Sequence, residues 1–154
     1  MDAWQTRTPL EGDMAAMAFV ESSILFQGLD AAQLAEVYRA GAVVVYGPGK
    51  VIFEEGANDD LLFLIVEGSV SVRKVHDNRK VELATLEREA IFGEMSVLAK
   101  RQRSATVMTR TEVRLIALPG DTMRSMADML PKFGRKLAGL MAGRTKDTDK
   151  KLGG

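Results

Sequence analysis

Between Ala42 and Leu118 the sequence is a series of short, β-branched and partly alternating runs: AVVVY, KVIFEEG, LLFLIVEGSVSVRKV, KVELATL and SATVMTRTEVRLIAL. Glycine, asparagine and aspartate separate these runs, in stretches such as GPGK, EGANDD and HDNRK, and such residues favour turns. Short strands at intervals of about ten residues are typical of antiparallel sandwiches and barrels. Alternation of apolar and polar residues within SVSVRKV and TEVRLIAL indicates that each of these strands buries one face.

Helical periodicity precedes this β-rich segment. From Ala15 to Tyr38 apolar residues recur at spacings of three and four, with a break expected at Gly28. Asp30 is predicted to cap the N-terminus of the second helix, because its carboxylate can accept hydrogen bonds from free backbone N–H groups. Gly41 lies just past the expected end of that helix, where glycine commonly stops one.

The pattern becomes helical again after the last run. Asp121 is predicted as an N-cap, and Pro131 suits the first turn of a final helix. The sequence therefore predicts an α+β, mainly β, fold: an eight-stranded antiparallel β-roll, or jelly roll, flanked by N-terminal and C-terminal helices. We place an N-terminal helical extension at residues 1–21, one domain at 22–145, and a charged, disordered tail at 146–154.

Composition excludes several classes of function. The chain has no cysteine and a single histidine, His76, so thiolate catalysis and clustered imidazole metal sites are not expected. The formal net charge is zero, so no excess of basic residues draws in nucleic acid. No stretch approaches the roughly 20 apolar residues of a membrane helix, and the N-terminus does not read as a secretion signal. A cytoplasmic protein, with no nucleic acid or membrane partner, is therefore expected.

Residues 92–107, FGEMSVLAKRQRSATV, hold the most specific cluster of functional groups. Gly93 lets a ligand approach the backbone before a short predicted helix, whose free N–H groups suit an anion. Arg103 can bind a phosphate with two parallel N–H groups. The small residues Ser104 and Ala105 allow a ligand to approach the backbone closely. Glu94 can accept hydrogen bonds from hydroxyls. The alternative is that Glu94 and Arg103 form a structural ion pair with no ligand.

The same segment resembles the phosphate-binding cassette of the cyclic nucleotide-binding domain family. The family pattern is roughly F-G-E-aliphatic-small-aliphatic, a short variable run, then P-R-small-A-T-V. The matching residues are Phe92, Gly93, Glu94, Met95, Ser96, Val97, Arg103, Ser104, Ala105, Thr106 and Val107. The strand–turn–strand with Gly56 and Gly68 at its turns is also similar, and the resemblance runs from about Ile24 to Gly143.

The resemblance implies a role for each matched residue. Glu94 would take the ribose 2′-OH and Arg103 the exocyclic phosphate oxygens. The backbone N–H groups near Ser104 and Ala105 would share the phosphate, and Gly93 and Met95 are also expected among the ligand-binding residues. Val72 and Leu83 fall where the family places apolar walls beside the sugar and base. The last helix would cover the base, through Phe133, Leu137, Leu140 and Met141, with Arg135 as a polar contact.

Two departures from the family pattern bear on binding. Gln102 stands where the family usually has proline before the arginine. Glu89 and Ala90 occupy the Gly-Asp positions of the L-x-x-G-D turn that precedes the cassette. If this turn needs a positive φ, a residue with a side chain costs about 1 kcal/mol there.

The function that follows from the resemblance is sensing rather than catalysis. We expect a stand-alone module that binds cyclic AMP or cyclic GMP, carries no cofactor or metal, and signals in trans to an unknown protein partner through its C-terminal helices. Gly139 and Gly143 have a spacing that permits a homodimer through these helices. The alternatives are a ligand-free relative used as a scaffold or oligomerisation module, and a cupin-like enzyme. The enzyme would need two or more metal-binding histidines.

Overall fold

The computed structural model describes residues 4–140, which form two antiparallel sheets with helices packed on one of them. The strands are β1 (Trp4–Pro9), β2 (Ala42–Tyr46), β3 (Val51–Phe53), β4 (Leu61–Glu67), β5 (Val70–His76), β6 (Arg79–Leu86), β7 (Ile91–Phe92), β8 (Thr106–Thr109) and β9 (Val113–Pro119). The helices are α1 (Met14–Ser22), α2 (Ala31–Ala40), α3 (Glu94–Ala99), α4 (Gly120–Met129) and α5 (residues 131–140). The predicted α+β class is confirmed.

The sheets have the strand orders β1-β2-β9-β4-β7 and β3-β8-β5-β6. Every strand pair is antiparallel. Residues 4–140 contain nine strands rather than the eight expected. The runs named from the sequence account for seven of them, and β1 and β7 are the two that the sequence does not predict. Strand β1 lies within the segment 1–21 that was expected to be a helical extension. The predicted tail at 146–154 lies outside the described residues.

Strand β4 separates two hydrophobic cores and explains why its sequence is almost continuously apolar. Leu62 and Leu64 point into the core beneath the helices, which also contains Phe26. Phe63 and Ile65 point into the core between the two sheets. A strand buried on both faces needs apolar residues at consecutive positions, so alternation is lost in the run LLFLIV.

The helix ends follow the predicted caps at α2 but not at α4. The Asp30 carboxylate accepts a hydrogen bond from the Gln33 N–H at 2.8 Å. The Gln33 side-chain oxygen accepts one from the Asp30 N–H at 2.9 Å, which completes a capping box. Gly41 ends this helix as expected. Helix α4 starts two residues earlier than predicted, because Pro119 is its N-cap and Asp121 lies within its first turn. A carboxylate there still favours the positive end of the helix dipole.

Helix α5 begins at Pro131, as predicted, but it packs on the helical core rather than over the cassette. Phe133 and Leu137, expected to cover the base, are both buried in the core beneath the helices. The ring of Phe133 lies 5.8 Å from that of Phe26. Lys136 donates hydrogen bonds to main-chain carbonyls of the α1–α2 connection, at 3.0 Å each. Leu140 packs partly against the same core, Arg135 is exposed, and Met141 lies outside the described residues.

The turn that precedes the cassette has a positive φ at Glu89, the position where the family pattern has glycine. Glu89 has a φ of 75°, in the left-handed region that favours glycine. Its N–H donates to the Ile65 carbonyl at 2.8 Å, and the N–H of Ala90 donates to the Glu87 carbonyl at 3.0 Å. These bonds hold the turn in place, so the strain at Glu89 is retained in the folded state.

Replacing Glu89 with glycine should therefore stabilise the fold by about 0.5–1 kcal/mol, because the turn no longer forces a Cβ into the left-handed region. Urea denaturation of the wild type and of Glu89→Gly measures the difference. Glu87→Gly is the matched control, since it removes the same charge from the same turn at a residue whose φ is not positive. Equal shifts for both variants would mean that charge, and not backbone strain, is responsible.

Candidate functional site

The cassette begins with a sharp change of direction between β7 and α3. Gly93 adopts a φ of 90° at this junction, and α3 starts immediately after it. A Cβ built on Gly93 would lie 2.7 Å from Nη1 of Arg103 and 2.8 Å from the Leu61 carbonyl oxygen. Glycine is therefore required twice, for the backbone conformation and for the close approach of the arginine. The sequence predicts the approach of a ligand to the backbone at Gly93, whereas in the structure the group that lies close to it is the Arg103 guanidinium.

All five N–H donors of the Arg103 guanidinium are used. Nε and Nη2 form a fork on the two carboxylate oxygens of Asp59, at 2.9 and 2.5 Å. Nη1 donates to the Gly93 carbonyl at 3.1 Å and to the Ser96 hydroxyl at 2.6 Å, and Nη2 also donates to the Leu61 carbonyl at 2.6 Å. A guanidinium has no further donor to offer, so a phosphate can bind it only by replacing one of these acceptors.

Burial shows which of these acceptors is the replaceable one. The Arg103 side chain is 1% exposed, whereas that of Asp59 is 36% exposed. The inner edge of the guanidinium rests on main chain and on a buried serine, and its face lies 4.0 Å from the centre of the Phe53 ring. Asp59 therefore covers the outer edge, the one that presents two parallel N–H groups. A carboxylate and a phosphate have matching geometry for that fork.

Glu94 is the first residue of α3 and is 1% exposed. The ion pair of Arg103 is formed with Asp59, an acid that the sequence alone does not single out. Glu94 and Arg103 therefore both belong to the cassette, but the parallel N–H groups of Arg103 are bound by Asp59. Burial of a carboxylate costs free energy of folding unless polar groups compensate its charge. The start of α3, where backbone N–H groups are free of helix bonds, is a position that can provide such compensation.

The other expected ligand residues lie close to this pair in the chain or on the four-stranded sheet. Met95 and Ser104 contact each other, with the hydroxyl 3.8 Å from the sulfur atom, and Ala105 is buried. Val72 lies opposite Val107 in the sheet and packs partly against the core between the sheets. Leu83 is buried at a bulge in β6, where the register between β5 and β6 shifts.

A second arginine joins the cassette to α4. Arg124 donates to both carboxylate oxygens of Asp60, at 2.9 and 2.8 Å, and to the main-chain carbonyl of Val97 in α3 at 3.0 Å. It also bonds Asp121 at 2.5 Å. A Cβ on Gly120 would lie 2.0 Å from Asp60, so glycine at the start of α4 allows this carboxylate to approach. Hydrogen bonding to Arg124 lowers the pKa of Asp60, against the opposing effect of burial.

Comparison with known proteins identifies the family of the chain. The model of the family "Cyclic nucleotide-binding domain" matches residues 43–129. The chain belongs to this family. It is 29% identical over 129 residues to a CRP-like cAMP-activated global transcriptional regulator of Mycobacterium tuberculosis, covering 83% of this chain and 58% of the relative. It is 37% identical over 109 residues to a cyclic nucleotide-gated potassium channel of Mesorhizobium japonicum, covering 71% of this chain and 29% of the channel.

The fold is also that of the family. The catabolite activator protein of Thermus thermophilus superimposes with a TM-score of 0.70 at 30% identity, covering 83% of this chain and 61% of that one. The chain therefore spans less than two thirds of the length of these relatives. Among residues 4–140, no helix has the length and apolarity needed to cross a bilayer, and no group of three or more metal-binding side chains is found.

Removing Arg103 should destabilise the fold more than removing Asp59. Arg103→Met leaves the Gly93, Leu61 and Ser96 acceptors without their donor and should cost about 2–4 kcal/mol. Asp59→Asn keeps an acceptor on the exposed side of the guanidinium and should cost about 1–2 kcal/mol. Urea denaturation without ligand measures both. Equal losses would mean that the ion pair alone, and not the inner set of bonds, carries the energy.

The Asp60–Arg124 pair should make the free energy of unfolding depend on pH in the acid range. Because the pKa of Asp60 is lower in the folded protein, its contribution is complete above the unfolded value of about 3.9 and is lost as the pH falls through the folded value. Asp60→Asn should therefore be less stable than the wild type at pH 7, with a difference that shrinks below about pH 4. Thermal melts across this range measure it. Asp128→Asn, an exposed aspartate on α4, is the control and should show no such convergence.

Proposed function

We propose that the chain binds a 3′,5′-cyclic nucleotide, cyclic AMP or cyclic GMP, at the cassette and acts as a regulatory module. The observation that carries this proposal is the Arg103 fork, a buried guanidinium whose solvent-side edge is bound by the Asp59 carboxylate. A buried arginine held in one orientation by main-chain carbonyls is prepared for planar recognition of a phosphate. Membership of the cyclic nucleotide-binding domain family supports the same ligand class.

Binding proceeds by an exchange of anions at Arg103. The diester takes the Nε and Nη2 edge, and the Asp59 carboxylate, already 36% exposed, moves into solvent, where water replaces its bonds to the guanidinium. The inner bonds to Gly93, Leu61 and Ser96 stay in place and keep the guanidinium oriented. Glu94 accepts the ribose 2′-OH. The Ser104–Ala105 main chain donates to the exocyclic oxygens, and Val72 and Leu83 flank the sugar and base.

The response to ligand is read by the C-terminal helices and passed in trans to a protein partner. Arg124 supports this route, because it bonds the cassette helix α3, the loop next to Asp59 and the first turn of α4. Movement of α5 is opposed by the burial of Phe133 and Leu137 and by the two bonds of Lys136. A ligand shifts this equilibrium only by as much as it binds one state better than the other.

One observation favours a second candidate function, that of a ligand-free scaffold or oligomerisation module. Arg103 is fully satisfied without any ligand, and the turn before the cassette carries Glu89 with a positive φ where the family pattern has glycine. A relative that has lost its ligand would keep such an arrangement for stability alone. In either case the module is regulatory or structural rather than catalytic, in agreement with the names of its relatives.

Calorimetry with cyclic AMP and cyclic GMP on one preparation tests the proposal. The wild type should bind at least one of the two, and the corresponding 2′-deoxy ligand should bind at least about tenfold more weakly, because Glu94 then lacks its hydroxyl partner. Arg103→Leu should abolish binding, with circular dichroism showing whether the variant remains folded. Equal affinity for the deoxy ligand would remove the role given to Glu94. No binding of either nucleotide by the wild type would favour the scaffold.

A further inference from the structure

Lys74, on β5, reaches across to the main chain of the cassette. Its ammonium donates a hydrogen bond to the carbonyl oxygen of Ser104 at 2.9 Å. The side chain is 29% exposed, so most of its length is covered and its head has a defined position. The sequence places Lys74 in a polar hairpin with no link to residues 92–107, and the resemblance assigns it no role.

The bond to Ser104 fixes the direction of a donor that a diester would use. The peptide between Ser104 and Ala105 is trans, so the Ser104 carbonyl and the Ala105 N–H point in opposite directions. An ammonium that holds the carbonyl on its own side therefore turns the N–H of Ala105 away from itself. Because both side chains are small, they do little to set this orientation. The main chain on either side is held by the bonds of Arg103 to the turn at residues 56–57 and by strand pairing at Thr106, and Lys74 adds a restraint on the 104–105 peptide itself.

A carboxylate on the β3–β4 connection holds the lysine from its other side. Oε2 of Glu55 lies 3.8 Å from Nζ of Lys74, and Oε1 accepts the Val75 N–H at 3.1 Å. The Glu55 N–H in turn donates to the hydroxyl of Thr106, a residue of the cassette, at 2.9 Å. Glu55 offsets part of the lysine's charge, but at this separation it leaves the ammonium bonded to Ser104.

We propose that Lys74 is a positioning residue of the cyclic nucleotide site. It orients the Ala105 N–H toward one exocyclic phosphate oxygen and adds positive charge on that side of the diester. The inference rests on the proposed function. It also follows from the saturation of Arg103, since a phosphate that gains only two N–H groups by displacing Asp59 needs further donors from the main chain.

The competing explanation is that Lys74 is an ordinary sheet lysine, paired with Glu55 and unrelated to a ligand. Lys80 provides a matched comparison, because it lies on the neighbouring strand β6 opposite Val75 and is exposed. Loss of its charge changes the same hairpin without touching Ser104. Lys74→Arg keeps the charge and a donor, whereas Lys74→Met keeps the apolar stem and removes both.

Binding of cyclic AMP and of its two phosphorothioate diastereomers, in which sulfur replaces one or the other exocyclic oxygen, tests the proposal. Lys74→Met should weaken cyclic AMP binding by about five- to tenfold, the scale of one charge-assisted hydrogen bond. It should also change the affinity ratio of the two diastereomers, because only one of them places sulfur at the Ala105 N–H. Lys74→Arg should restore most of the affinity, and Lys80→Met should match the wild type in both measurements.

A purely structural lysine would lower the melting temperature of Lys74→Met and leave the diastereomer ratio unchanged, and that result would overturn the proposal. The same holds if Lys80→Met weakens binding as much as Lys74→Met, since the effect would then come from general charge. If the wild type binds neither cyclic AMP nor cyclic GMP, the proposed function and this inference fail together, and if it binds only cyclic GMP, the phosphorothioates of cyclic GMP take the place of those of cyclic AMP. If the wild type binds and Lys74→Met binds equally well, only the inference fails.

Discussion

The rest of the site depends on the way that Arg103 is buried. Its guanidinium is held by main-chain carbonyls of Gly93 and Leu61 and by the Ser96 hydroxyl, while its own main chain pairs with the turn at Gly56 and Ala57. One residue thus ties together β4, the start of α3 and the β3–β4 connection. An arginine cannot lose its charge to reduce the cost of burial, so the surrounding acceptors are a condition of the fold. The same acceptors orient the fork toward solvent.

Adjacent aspartates hold two arginines with different tasks. Asp59 covers the fork of Arg103 at the cassette, and Asp60 bonds Arg124 of α4. Because one peptide unit separates the two acids, a movement of the main chain at Asp59 also moves Asp60, whereas rotation of the Asp59 side chain alone leaves Asp60 in place. Arg124 also bonds the Val97 carbonyl, so α4 contacts the cassette through two independent groups. These contacts give the helices a physical connection to the site through discrete hydrogen bonds.

The sequence predicts the local features of this protein well and its long-range partners poorly. The strands β2 to β6, β8 and β9, the capping box at Asp30 and the short helix of the cassette follow from periodicity and turn residues within a few positions. Strand β7 has only two residues, and β1 is stabilised by its pairing with β2, so neither produces a periodic pattern of useful length. A propensity argument cannot detect a strand whose formation depends on a partner more than 30 residues away.

The residues of the site divide in the same way. Gly93, Glu94 and Arg103 are found by spacing within one segment, but Asp59 and Lys74 lie 44 and 30 residues from their partners. In the sequence, Asp59 is part of a turn-like run, GANDDL, and Lys74 is part of a charged hairpin, and in both settings a solvated role is the ordinary interpretation. Phe133 and Leu137, expected to cover a ligand, instead lie in the core beneath the helices. The pattern of apolar residues on a terminal helix is the same for a lid and for a core helix, so the sequence does not distinguish them.

Under the proposed function, the Asp59 carboxylate on the Arg103 fork sets a threshold for sensing, because a nucleotide must displace it. The apparent affinity for a nucleotide equals its intrinsic affinity reduced by the fraction of molecules in which the fork is available. The inner acceptors keep Arg103 in place whether Asp59 is bound or displaced, so this fraction is governed by one exposed side chain rather than by refolding of the cassette. Sensitivity can therefore change through Asp59 and its neighbours while the residues of the family motif stay the same.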